Sequence, residues 1–223
     1  MNQSTVWGNV DQYITKRLHQ QDKVLDQVLQ TNQKEGLPAY DVSPTQGKFL
    51  NILVQIQGAK RILEIGTLGG YSTIWMARAL PPEGKLVTLE LDPHHAKVAR
   101  DNLTLANVQD MVELRVGDAL EQLGQMKDEG VEPFDFIFID ADKPNNPSYL
   151  KWALQFSRRG TIIIGDNVVR DGEVVNDNNQ DPRVKGVREF YDLLAEEPRI
   201  TATAIQTVGS KGYDGFVIGV VVC

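Results

Sequence analysis

The sequence predicts an α/β fold: an open, mostly parallel sheet with helices on both faces and an antiparallel hairpin at its end. Three observations carry this prediction. From Lys60 onward, short β-branched runs alternate with amphipathic stretches, the pattern of βαβ units around a buried parallel sheet. Each of the first five runs carries an acid at or near its C-terminal end. The last two runs are joined by a short connection, which permits antiparallel pairing but no crossover.

Two helical segments come first. Val10, Ile14, Leu18, Leu25, Val28 and Leu29 recur at helical spacing in one segment. After the breaker Gly36-Leu37-Pro38, Ser43 stands as an N-cap, Pro44 suits the first helical position, and Gln46 completes an S-x-x-Q capping box. Phe49, Leu50, Leu53 and Ile56 give that second helix its apolar face. The strand-like runs then follow at Arg61–Ile65, Lys85–Leu91, Val112–Val116, Phe134–Ile139 and Thr161–Ile164. Helices are expected between and after them at Ser72–Leu80, Pro93–Ala106, Ala119–Met126, Ser148–Phe156 and Pro182–Leu194. Asp92 caps the second of these. The stretch Arg170–Arg183, rich in Asn and Asp, reads as a loop, and two final strands, Thr201–Thr207 and Phe216–Val222, are joined by Val208–Gly215. One domain is expected over residues 1–223, with N-terminal helices (1–58) covering the site and an α/β core (59–223).

The chain has 223 residues, with 23 Lys plus Arg against 30 Asp plus Glu, a formal net charge of −7. That balance argues against general binding to nucleic acid or to anionic membranes. The only cysteine is Cys223, so neither an internal disulfide nor a Cys-rich zinc site is expected. The N-terminal run MNQSTVWGNVDQYITKR is polar and lacks the apolar core of a signal peptide. No apolar run approaches the ~20 residues that span a bilayer, so a soluble cytoplasmic protein is expected.

The strand-end acids are Glu64, Glu90 with Asp92, Asp118, Asp140 with Asp142, and Asp166. Ligands of open parallel sheets bind outside the carboxyl ends of the strands, so these acids should line one edge and need a cation or hydrogen-bond donors among them. Helix capping accounts for Asp92 and Asp118. It accounts poorly for Glu64, Asp140 and Asp166, which sit inside or against apolar runs. The turn Glu64-Ile65-Gly66-Thr67-Leu68-Gly69-Gly70-Tyr71-Ser72 is Gly-rich, and Glu90 ends the next run, where an acid can hold both hydroxyls of a ribose. Thr67 and Leu68 stand where a dinucleotide site needs a second glycine, and Asp166-Asn167 replaces the Lys-Ser/Thr of a P-loop. A cofactor with a ribose and no phosphate fits, and S-adenosylmethionine is the common one. Asp140-Ala141-Asp142-Lys143 with Asp166-Asn167 forms a second constellation. Its carboxylate and amide oxygens suit Mg²⁺, Ca²⁺ or Mn²⁺ rather than zinc.

Glu64–Ser72 (EIGTLGGYS), Phe136–Lys143 (FIFIDADK) and Ile164–Val174 (IGDNVVRDGEV) resemble the cation-dependent O-methyltransferases of the catechol and caffeoyl-CoA type, the bacterial members above all. Asp41–Leu50 and Ala204–Phe216 share the resemblance, which covers roughly residues 35 to 223. It implies a class I methyltransferase Rossmann-like fold with a seven-stranded sheet and a reversed last strand. It implies metal ligation by Asp140, Asp166 and Asn167, and Lys143 as catalytic base. It further implies that Val42, Glu64, Gly66, Thr67, Ser72, Glu90, Asp118, Ala119 and Asp140 contact or frame S-adenosylmethionine. Glu90 would hold the ribose, Ser72 and Glu64 would lie near the methionine part, and Asp118-Ala119 would border the adenine. A homodimer is also implied. The family usually has a tyrosine shortly after DADK; here Pro144-Asn145-Asn146-Pro147-Ser148-Tyr149 follows.

The implied reaction is methyl transfer to one hydroxyl of a vicinal aromatic diol: a catechol, flavonoid or hydroxycinnamoyl-type acceptor. Lys143 must be neutral to take the proton, a state that a nearby dication and sulfonium favour. The same family offers one alternative, methylation of hydroxyuridine in tRNA, which the net charge disfavours. A nicotinamide-dependent oxidoreductase is a further alternative, disfavoured by the missing G-x-G-x-x-G. His94 and His95 read as first-turn polar residues, since neighbours on a helix diverge. Trp75 and Met76 read as core, and Arg158-Arg159 as a surface pair. With no G-x-S-x-G, a hydrolase triad is not expected.

Overall fold

The computed structural model describes residues 2–223; Met1, the first residue of the polar N-terminal run, lies outside them. Three helices precede the sheet: α1 (Gln3–Leu18), α2 (Lys23–Lys34) and α3 (Pro44–Gln57). The core then alternates β1 (Arg61–Ile65), α4 (Tyr71–Ala77), β2 (Lys85–Glu90), α5 (Pro93–Leu105), β3 (Val112–Val116), α6 (Ala119–Asp128), β4 (Phe134–Ile139), α7 (Asn146–Gln155) and β5 (Ser157–Asp166). It closes with α8 (Pro182–Glu196), β6 (Ile200–Gly209) and β7 (Gly212–Val221). The strands form one seven-stranded sheet in the order β3-β2-β1-β4-β5-β7-β6. The first five are parallel to one another, and β7 runs antiparallel to both β5 and β6. The mostly parallel sheet with a reversed last strand is thus present.

β4 lies at the centre, and every one of its residues is buried, the condition that produces a continuous apolar run rather than an alternating one. Its side chains divide by the period of two. Phe136 and Phe138 pack with Leu50, Val54 and Ile74 on one face, while Ile137 and Ile139 pack with Leu123, Leu150 and Phe190 on the other. The two half-cores fix the sheet, and the sheet fixes the acids at the ends of its strands.

The differences from the sequence reading have local causes. The first helical segment is two helices, because Asp22 accepts from the N–H groups of Val24 and Leu25 at 3.0 and 3.1 Å and restarts the helix as α2. Leu91 falls outside β2 and is 69% exposed. β5 begins at Ser157, ahead of its apolar run, so Arg158 and Arg159 belong to the strand and not to a helix end; both are exposed, as a surface pair should be, and Arg158 pairs with Asp135. The terminal hairpin zips to the two residues Ser210 and Lys211, with Gln206, Thr207 and Val208 paired to Gly215, Asp214 and Tyr213. Within the Asn/Asp-rich stretch, Arg170–Val175 forms 3-10 turns. The Arg188 guanidinium holds them by donating to the Val174 carbonyl at 2.9 Å. No helix among the described residues is long and apolar enough to cross a membrane.

Candidate active site

A cleft of about 710 Å³ opens at the carboxyl ends of the parallel strands. Its first wall is the turn after β1. Gly66 has φ +102°, and a Cβ built there would lie 2.2 Å from the Asp140 carbonyl oxygen. Only glycine lets β1 and β4 close up at this point. Gly66→Ala is expected to destabilise the protein by about 2–4 kcal/mol, through backbone strain and overpacking together, read as a lowered urea midpoint at unchanged slope.

Glu90, at the end of β2, organises that turn. Its Oε2 accepts from the N–H groups of Thr67 and Leu68 at 3.2 and 2.7 Å, and its Oε1 from Asp92 N–H at 3.0 Å. His95 Nδ1 lies 3.4 Å from Oε1. Asp118 both caps α6, accepting from Leu120 and Glu121 N–H, and lines the cleft beside Ala119. The capping reading of this residue therefore holds, and the cap stands at the cleft wall. Val42, Thr67 and Ser72 line the same cleft. Glu64 does not: it is fully buried beneath the turn and accepts from the hydroxyls of Ser72, Thr73 and Thr88 at 2.6, 2.5 and 2.7 Å. Burial pushes its carboxyl up to about 7 against those three donors. Glu64 acts on the cleft through Ser72, which it orients.

The second constellation gathers at the centre. Lys143 is 6% exposed, and its Nζ donates to Asp140 Oδ1 at 2.7 Å. The turn carrying it is pinned by α8, which approaches so closely that a Cβ at Gly186 would lie 2.2 Å from the Lys143 carbonyl oxygen. Asp166, 5% exposed, accepts from Asn167 N–H at 2.9 Å and from Gln46 Nε2 at 2.7 Å. Burial first, and then the charge of Asp140, push the Asp166 carboxyl up to about 7, against the pull of Lys143. Asn167 stands at φ 54°, a left-handed conformation that asparagine tolerates well, and lines the cleft with Asp140 and Asp166. Among the described residues, no three His, Cys, Asp or Glu side chains form a metal cluster. A cation here would rest on two carboxylates and the Asn167 amide, which are hard oxygen donors. The cation beside them, Lys143, is paired with Asp140, and the buried Asp166 carboxyl is held by the Asn167 N–H and the Gln46 amide.

Several cleft residues escaped the sequence reading. Gln46 was expected to reach back and complete a capping box. Ser43 Oγ does accept from Gln46 N–H at 3.2 Å, but the Gln46 side chain turns instead to Asp166. His95 turns to Glu90 rather than to solvent. Tyr149 donates from Oη to Asp142 Oδ1 at 2.5 Å and brings an aromatic ring to the cleft. Arg170, Arg183 and Lys211 also line it. The sequence carries no local signal for these three, because tertiary packing brings them in from the β5–α8 segment and the hairpin turn.

A sheet of this strand order, with its reversed β7 and a cleft past the ends of the parallel strands, defines a class I methyltransferase. Within that class, residues 16–215 match a family model described as O-methyltransferase, and the chain belongs to this O-methyltransferase family. It is 49% identical to a catechol O-methyltransferase of Niastella koreensis, over 97% of this chain and 98% of the relative. Among solved structures, an O-methyltransferase from Bacillus cereus in complex with SAH is 62% identical, with a TM-score of 0.96 over 97% of this chain and 99% of that one. The O-methyltransferase TomG from Streptomyces achromogenes, involved in tomaymycin synthesis and solved with SAM, is 45% identical, with a TM-score of 0.97 over 100% of both chains. The enzyme is an O-methyltransferase, and the oxidoreductase alternative is set aside.

Proposed function

We propose that this enzyme transfers the methyl group of S-adenosylmethionine to one hydroxyl of a vicinal aromatic diol, with a divalent cation, Mg²⁺ first, held by Asp140, Asp166 and Asn167. The observation that carries this reading is the buried Lys143–Asp140 pair beside the raised Asp166 carboxyl, in the middle of a cleft whose other wall is the Glu90 turn. The Glu90 end suits a nucleoside. Gly66 keeps the floor flat there, and the Glu90 carboxylate, already fixed by three backbone N–H groups, is poised to accept from ribose hydroxyls. The relatives solved with SAH and SAM support this assignment. A cation held there would supply Lewis-acid polarisation, making a phenolic hydroxyl easier to deprotonate. Lys143 Nζ, in its neutral form, would take that proton and become the ammonium that pairs with Asp140. Asp140 holds the amine in position, and α8 fixes the backbone that carries it.

The test is a panel of catechol, a flavonoid with a vicinal diol, a hydroxycinnamoyl ester and bulk tRNA, each assayed with S-adenosylmethionine and Mg²⁺. Methyl transfer to the diols with none to tRNA is expected. Preferred methylation of tRNA would replace this acceptor with a nucleic acid.

A further inference from the structure

The cleft changes sign along its length. Glu90 on β2 and Asp118 after β3 lie at one end of the sheet order, and Asp140 follows β4 near the middle. Three cations line the cleft from the opposite end: Arg170 after β5, Arg183 on α8 and Lys211 in the β6–β7 turn. A positively charged methyl donor belongs with the acids. The cations face the side left for the acceptor.

Two of the three are taken. Arg183 forms an ion pair with Asp181 at 2.6 Å, and Lys211 Nζ donates to the Ala39 carbonyl at 3.1 Å. Arg170 differs. Its Nε is buried and has no hydrogen-bond partner. It forms an ion pair with Asp214, but a long one: Oδ2 stands 3.8 Å from Nη1, too far for a hydrogen bond. Asp214 is occupied elsewhere: its Oδ1 accepts from the N–H groups of Val169, Arg170 and Gly215 at 2.8, 3.0 and 2.9 Å. Asp181 is held by Arg183 through both side chain and backbone. Those bonds from Asp214 also lock Arg170 in a left-handed backbone conformation, φ 55°, of the kind that persists where the surroundings over-determine it and clusters at ligand clamps. The result is an oriented guanidinium with an idle buried donor, three residues beyond Asn167.

We infer that the acceptor diol carries a carboxylate, and that Arg170 is the residue that receives it. The inference rests on the diol methyl transfer proposed above. A guanidinium presents donors in a planar fork that a carboxylate matches with two parallel bonds. The side chain is 24% exposed and lines the cleft, and its terminal nitrogens make no hydrogen bond among the described residues, so a ligand carboxylate can reach and pair with them. The acceptor class is therefore a vicinal dihydroxybenzoate or dihydroxycinnamate, rather than a neutral catechol or flavonoid.

The experiment compares kcat/KM for a vicinal dihydroxybenzoate with that for its methyl ester, in the enzyme supplied with S-adenosylmethionine and Mg²⁺, for wild type, Arg170→Gln and Arg170→Lys. Wild type is expected to favour the acid. Arg170→Gln should lower the acid-to-ester ratio about tenfold or more, through KM for the acid, and Arg170→Lys should restore part of it. Benzoate, which has the anion and no diol, should compete with the ester in wild type, a measurement independent of how the variants fold. A ratio unmoved by Arg170→Gln, or no competition by benzoate, overturns the role of Arg170. Failure of wild type to methylate any diol overturns the parent reading instead.

Discussion

Lys143→Met is expected to lower kcat for methyl transfer to a diol by about 10²–10⁴-fold, the range for loss of a positioned general base. The side chain is buried, its amine is fixed on Asp140, and its backbone lies under α8 with no room for a Cβ at Gly186. A base so constrained cannot be replaced by solvent. Methionine keeps the length and apolar bulk of the lysine stem, so the Glu90 turn at the other end of the cleft should still bind S-adenosylhomocysteine. Single-turnover kinetics and calorimetry read the two effects separately. A variant that retains wild-type kcat would show that another group takes the proton.

Asp166→Asn is expected to cut turnover about 10³-fold, a loss of several kcal/mol in transition-state stabilisation of the kind a catalytic cation supplies. The same substitution should stabilise the cation-free protein at high pH. The sign follows from the raised carboxyl. Folded Asp166 titrates at about 7 against an ordinary value of 3.8, so its proton is held more tightly in the folded state. The stability this contributes is fully present below pH 3.8 and is lost as pH rises through about 7. The asparagine never ionises, and its carbonyl oxygen can still accept from Gln46. Urea midpoints of wild type and Asp166→Asn, compared in EDTA from pH 4 to pH 8.5, should therefore diverge in favour of the variant as pH rises. Activity given up for stability marks a residue kept for function. Midpoints that stay parallel across that range would contradict the account of Asp166 as a buried anion awaiting a cation.

Much of this was legible in the sequence. Arg61–Ile65, Val112–Val116 and Phe134–Ile139 were read as strands with the bounds they have in the structure: burial on both faces makes β4 apolar throughout, whereas β3, at the edge of the sheet, shows as an alternation of apolar and charged residues. The acids at the strand ends were legible because they stand out against those runs. Pattern failed where tertiary contact decides. Asp22 divides the first helical segment at a place the apolar spacing passes over. β5 and the terminal hairpin extend through polar residues that a neighbouring strand pairs. Gln46 sits at a capping position, yet its side chain is drawn to a buried carboxylate 120 residues away in the chain. Glu64, expected at the methionine part, lies one layer below the cleft and reaches it only through Ser72. Arg170, Arg183 and Lys211 meet at the cleft only because the sheet order folds β7 between β5 and β6.

The central claim is that Asp140, Asp166 and Asn167 serve one divalent cation on which the chemistry depends. Its most direct measurement is the rate of methyl transfer to catechol before chelation, after EDTA and gel filtration, and after Mg²⁺ is added back. The account predicts near-complete loss on stripping and recovery on Mg²⁺ addition in wild type, with no recovery in Asp166→Asn. Turnover that survives removal of the cation undiminished would contradict it.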